Sequence, residues 1–179
     1  MDYQEILKFW FEEIKPAQIW IKDKNFDQLI IDRFSAVYQQ ACQCELYQWR
    51  ETADGRLAEI IVLDQFSRNM FRDSAKAFAY DSLVLSLSQQ ALSIGADKEI
   101  DKNKRSFMYL PFMHSESKTI HKQALEIYQN HGVQSSLDFE IKHKAIIDRF
   151  GRYPHRNKVL SRESTTQELE FLKGPNSGF

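Results

Sequence analysis

The chain has little of what breaks or staples a backbone: two cysteines, four prolines and six glycines in 179 residues. Two cysteines cannot build a multi-bridge framework, and Cys42 and Cys44 lie one residue apart on a predicted helix. Their side chains point about 200° apart there, so they neither bridge nor chelate together and read as ordinary thiols in a reducing compartment. Net charge is missing too. With 24 Lys and Arg against 25 Asp and Glu the balance is -1, which leaves no broad basic face for a run of phosphates, and no nucleic-acid partner is expected. No run of about 18 apolar residues occurs, and the start Met1-Asp2-Tyr3-Gln4-Glu5 lacks the positive-then-apolar pattern of a signal peptide. The reading is a cytoplasmic protein with no membrane partner.

Chemical signatures are equally sparse. There is no Gly-rich phosphate loop, dinucleotide fingerprint, His-Glu-x-x-His helix or nucleophile elbow, and no cofactor is predicted. Ser115-x-x-Lys118 matches the first element of the penicillin-binding serine enzymes, but their other two motifs are absent. His114, Glu116, His121, His143, Asp148 and His155 are ligand types for a divalent ion, yet His143 and Asp148 stand five apart, off one helical face, and no metal site is predicted.

What is present is helical. Hydrophobic residues make up 42% of the chain and aromatics 13%, enough to bury one core, and the length suits a single domain. Apolar residues recur at i, i+3, i+4 while no alternating segment persists, so the fold is read as all-α, with about seven to nine helices. Asp2 and Glu5 form a capping box before a first helix stopped by Pro16, and Asn25 with Gln28 is expected to cap a second. A third, from about 52 to 66, is apolar nearly all round and should be central. Further helices are predicted over 75–94, 102–112, 117–130 and 136–150, with Gly95, Pro111, Gly132 and Gly151 near their ends, and a short one opens at the Thr165/Glu168 capping box. The domain is expected over 1–172, with residues 173–179 as a flexible tail. "IIDRF" occurs at 30–34 and again at 146–150, and "DQFSR" at 64–68 echoes "DRFGR" at 148–152. Related helix segments of this kind are consistent with stacked helical hairpins, or with a common core stripe.

Polar residues gather at the helix ends. Asp64 sits within the apolar third helix and is expected to be a structural buried carboxylate, partnered by Arg68 one turn on or by Arg152 from afar. Arg68, Asn69 and Arg72 follow it, with Asp73, Asp81 or Glu116 as internal partners or an external anion in their place. "YLPFMHSES" places His114, Ser115 and Glu116 at a helix junction, where Glu116 can favour a helix start or pair with His114 or His155 in acid-base catalysis. "RFGRYPHRN" packs Arg149, Arg152, His155, Arg156 and Asn157 around a Gly and a Pro. So many cations at one bend require negative charge nearby, from Asp64, Asp81 or Glu116 or from outside.

The ordered segments "FWFEE", "GRLAEIIVLDQFSRNMFRD", "AFAYD", "YLPFMHSE" and "IIDRFGRYPHRNKVLSREST" resemble the bacterial domain of unknown function 924 family over roughly residues 5 to 172. The resemblance implies a helical, TPR-like fold and no established activity. Asp64, Gln65, Phe66, Arg68 and Asn69 match its Asp-Gln-Phe-Pro-Arg-Asn motif, His114 to Glu116 its His-Ser-Glu, and Arg149 to Asn157 its Arg-rich motif. Ser67 stands for the usual Pro and Ser161 for the usual Gly, which puts φ in question at both positions. The expected function is binding of a small anionic ligand or acidic peptide end by Arg68, Asn69, Arg72, Arg149, Arg152, His155, Arg156 and Asn157. The alternatives are a hydrolase using His114, Glu116 or His155 with arginines on an oxyanion, or a purely structural polar network. A homo-oligomer is also open, since Trp10, Trp20 and Trp49 can leave apolar surface.

Overall fold

The computed structural model describes residues 1–131, 134–175 and 177–178. Among them every regular element is helical and none is a strand. The chain is all-α, and no helix among the described residues is long and apolar enough to cross a membrane. Its contacts gather into two compact units, Met1–Arg72 with Lys76–Pro111, and Asp73–Ala75 with Phe112–Phe179.

The first unit opens with α1 (Tyr3–Lys8), capped by Asp2 with both arms of the capping box formed through Glu5. "FWFEE" then winds as a π turn, Phe9–Glu13, that turns Phe9 and Trp10 fully inward. Chain direction changes at Ile14, so the first helix stops before Pro16, which opens a 3-10 turn instead. Helix α2 (Lys24–Cys42) is capped by Asp23, not by Asn25. The Asp23 carboxylate accepts from the Asn25 and Phe26 amides at 2.8 and 3.3 Å. Its inward stripe of Phe26, Ile30, Phe34, Val37, Tyr38 and Ala41 follows the helical period, whereas Leu29, which the same period places on that stripe, is 41% exposed.

Helix α3 (Ala53–Ile61) begins at Thr52, whose Oγ1 accepts from Gly55 N at 3.0 Å. Gly55 is required by close approach, since a Cβ there would stand 2.0 Å from the Trp49 carbonyl oxygen. The helix continues as a π turn, Val62–Phe66, and then as α4 (Ser67–Met70), four residues beyond the expected end. Leu57, Ala58, Ile60 to Leu63 and Phe66 are all buried, and α3 packs against α1 and α5 (Asp81–Ser93) while the π turn meets α2. An apolar circumference therefore does mark the central helix. Phe9, Phe34 and Phe66 form its aromatic heart, with ring centroids 4.7 and 4.8 Å from Phe34. Trp10 is buried with them, whereas Trp20 is 68% exposed. Helix α6 (Lys102–Met113) carries Pro111 inside it; proline's fixed φ is compatible with helical winding, and the helix gives up the one backbone hydrogen bond that the missing N–H would have made.

In the second unit α7 (Lys118–His131) packs along α8 (Gln134–Phe150). The expected stop at Gly132 lies outside the described residues. Gly151, at φ 71°, ends α8 by returning its amide to the Ile147 carbonyl at 2.8 Å, the left-handed cap that glycine adopts without strain. A 3-10 turn, Pro154–Arg156, and α9 (Thr166–Leu172) follow, the latter with the Thr165/Glu168 capping box formed. Of the expected tail, residues 176 and 179 lie outside the described residues.

Candidate functional site

In the first unit the polar residues cluster on the segment that leaves α geometry. Asp64 lies in the second π turn and is fully buried. Gln65 Nε2 donates to its Oδ2 at 2.6 Å, and Arg68 Nη1 stands 3.0 Å from Oδ1 and donates to the Asp64 carbonyl at 2.8 Å. The same guanidinium gives Nη2 to both Asp81 oxygens at 3.1 Å and lies over Phe78. Asn69 and Arg72 converge on a carboxylate absent from the sequence reading, Asp27. It accepts from Asn69 Nδ2 at 2.8 Å and from Arg72 Nε and Nη2 at 2.7 Å each. Burial would raise the Asp27 pKa, but Arg72 and Asn69 outweigh it and hold the carboxyl below its usual range.

The second unit repeats this chemistry around the turn at 152–157. Arg152 donates from Nε and Nη2 to the two oxygens of Glu168 at 2.7 and 2.8 Å, and Nη2 also reaches the Glu163 carbonyl. Glu168 is 2% exposed; it also accepts from the Thr165 amide and from Asn157 Nδ2. Arg152 first, aided by that amide, lowers the Glu168 pKa to about 2. Glu116 is gripped by Arg162, Nη1 to Oε2 at 2.6 Å and Nη2 to Oε1 at 2.9 Å, and accepts the Tyr153 amide at 2.7 Å. Burial opposes ionisation there, yet Arg162 and that amide win, so the carboxyl stays below its ordinary value. Arg162 Nε closes the circuit on Asn157 Oδ1 at 3.0 Å.

Tyr153 is the hub. Its ring is buried, carries the Arg156 guanidinium at 4.7 Å and neighbours His121, His143 and His155. Arg156 itself is 6% exposed. His155 is half-buried, and burial first, then the charge of Arg156, depresses its pKa to about 4. Half-buried His114 lies near enough to depress both His155 and His143; His143 is pushed down to about 3, chiefly by burial. A pair that the sequence reading did not single out lies beneath: His121 Nδ1 meets Glu140 Oε1 at 2.8 Å, both groups wholly buried. His121 Nε2 faces the Ser115 carbonyl at 2.9 Å, which fixes a proton on that nitrogen. Burial raises the Glu140 pKa. Among the described residues no group of three or more His, Cys, Asp or Glu could hold a metal ion.

The candidate residues therefore fall into three places. Arg68, Asn69 and Arg72 belong to the first unit with Asp64. His114, Glu116, Arg152, His155, Arg156 and Asn157 gather about Tyr153 in the second. Arg149 stands apart on the exposed face of α8, its guanidinium 4.6 Å from the Phe150 ring.

Helix ends locked by guanidinium-carboxylate pairs, with an imidazole-rich turn in one unit, characterise this all-α protein. The chain belongs to the family described as Bacterial protein of unknown function (DUF924), whose match runs over residues 6–176. It is similar to a solved structure of a protein of unknown function from Agrobacterium tumefaciens, at 36% identity and a TM-score of 0.91, covering 96% of this chain and 97% of that one. No curated protein matches the chain. The motifs that carry the family resemblance hold most of the paired residues described above, including Asp64, Arg68, Asn69, Glu116, Arg152 and Asn157.

Proposed function

We propose that this is a cytoplasmic, TPR-like binding protein that takes a small anionic ligand or acidic peptide end beside His155 and Arg156. The supporting observation is the electrostatics of the 153–157 turn. His155 is held neutral by burial and by the positive field of Arg156, His114 and Arg162, which outweighs Glu116, and such a site attracts an anion. Arg68, Asn69, Arg72, Arg152 and Asn157 hold carboxylates of their own unit and serve as scaffold, which is the structural-network reading applied to those residues. The packing of α7 on α8 favours helical hairpins, and two free thiols favour a reducing compartment.

The hydrolase alternative asks Glu116 to orient His114 or His155, but that carboxylate holds Arg162 and the Tyr153 amide. Thermal-shift and calorimetric titration with inorganic phosphate, citrate and a glutamate-terminated peptide test the binding reading. At least one should raise the melting temperature, with affinity falling as salt rises. Binding should also take up a proton, since a bound anion raises the His155 pKa, so affinity grows as pH falls from 6.5 toward 4. His155→Gln should abolish that pH dependence. No response to any of the three at millimolar concentration would remove the reading.

A further inference from the structure

A second surface, independent of the His155 and Arg156 turn, lies within the same unit. Helices α8 and α9 bound a groove of about 340 Å³ whose floor is Ile146, Phe150, Phe171 and Pro175 and whose rim carries Lys142 and Arg149. Phe150 and Phe171 meet at 5.1 Å between ring centroids and are only half-buried. The two cations differ from the other basic groups around them. Arg152 and Arg162 each grip a carboxylate of this unit, while Lys142 and Arg149 rest on the faces of Phe139 and Phe150 with no carboxylate in ion-pair range among the described residues. Both are exposed, and the apolar surface continues through Phe139, itself 51% exposed.

We propose that this groove binds an extended acidic peptide of the pattern acidic–x–apolar–x–acidic. Lys142 and Arg149 are seven residues apart on one helix, about 10 Å along its axis. An extended strand carries alternate side chains on one face, so residues i and i+4 lie about 13 Å apart with i+2 between them. That span falls within the reach of two long, outward-leaning cationic side chains. The central apolar side chain meets Ile146, Phe150 and Phe171, and a groove of this volume suits one or two such residues at the small end of the usual pocket range. The cations choose acidic flanks and the aromatic floor chooses the centre, so neither a bare anion nor a neutral apolar peptide satisfies both.

Fluorescence polarisation with the full chain tests it, using fluorescein-labelled Gly-Glu-Ser-Leu-Ser-Glu-Gly as the probe. Saturable binding is expected, about three- to five-fold weaker in Lys142→Ala and in Arg149→Ala and falling as salt rises. The same peptide with both glutamates changed to glutamine, or with leucine changed to serine, should bind several-fold more weakly still. Both substitutions remove exposed side chains, so melting curves should match the parent protein. Absence of saturation, equal binding of the glutamine peptide, or indifference to the Lys142→Ala/Arg149→Ala double variant overturns the proposal. So does a concentration-dependent dimer in sedimentation that Arg149→Ala abolishes, because the groove would then hold a second copy of the chain.

Discussion

The two units use one device with different tuning. In each, a buried carboxylate receives a two-pronged guanidinium and a side-chain amide: Asp27 takes Arg72 and Asn69, and Glu168 takes Arg152 and Asn157. The first unit contains no histidine at all. His114, His121, His131, His143 and His155 all fall within Phe112–Phe179. Guanidinium-carboxylate pairs keep their charge across the neutral range, so the first unit is built to ignore pH, while the second sets imidazoles against the same kind of lock.

Removing a lock should cost most where burial is deepest. Asp64→Ala opens a void at a fully buried site, strips the Gln65 amide of this acceptor and leaves Arg68 with Asp81, and should destabilise the protein by roughly 3 to 5 kcal/mol, read from denaturant unfolding. A melting curve like the parent's would mean that water already reaches this carboxylate. In the second unit Glu168→Gln keeps the shape and removes the charge. This change leaves no void, so the expected loss is smaller, roughly 2 to 3 kcal/mol. Equal losses would mean that the lost charge, not the void, sets the cost in both units.

pH should separate the units next. His143 and His155 have folded pKa values of about 3 and about 4 against 6.5. Between those values and 6.5 the unfolded chain binds more protons than the folded one, so stability falls as pH drops through that window. The lowered carboxylates Asp27, Glu116 and Glu168 lose their contribution only below the usual carboxylate range, and Glu140, being raised, acts in the opposite sense. Hydrogen exchange at neutral pH and at about pH 5 should therefore loosen amides near Ile147 and Tyr153 while those near Ile60 and Phe34 hold. Simultaneous loosening of both sets would contradict the assignment.

Local features were legible in the sequence because they need only local rules. Asp2, Thr52 and Thr165 announce helix starts, the apolar circumference of 57–66 marks the central helix, and Arg68 stands i+4 from Asp64. The π turns were not legible: "FWFEE" and "VLDQF" keep a pattern compatible with 3.6 residues per turn, and tertiary packing selects the wider winding. Nor were the remote partners. Arg72 and Asp27 lie 45 residues apart and Arg162 and Glu116 lie 46 apart, beyond any periodicity, and Glu168 was visible as a capping residue without its second role on Arg152. Arg162 could have been found from its place in the resembling "LSREST" segment, where it is the basic side chain left out of the site reading.

The smallest expected effect is also the most local. The turn after Pro154 closes as a Schellman motif: the Arg162 amide returns to the Asn157 carbonyl at 2.8 Å and the Ser161 amide to the Lys158 carbonyl at 3.3 Å. Ser161 therefore occupies the left-handed position, at φ 54°, where the resemblance leads one to expect glycine. The first unit ends α2 the same way, with Cys44 at φ 60° and the Glu45 amide on the Gln40 carbonyl at 2.9 Å. A side chain in this conformation costs about 1 to 2 kcal/mol, partly offset by the greater freedom that glycine has when unfolded. Ser161→Gly and Cys44→Gly should each stabilise the protein by about 0.5 to 1 kcal/mol. The serine change alone should also sharpen the second unit, since the residue after it is the arginine that grips Glu116. Hydrogen-exchange protection of the Tyr153 amide, which that carboxylate accepts, should rise in Ser161→Gly and stay unchanged in Cys44→Gly.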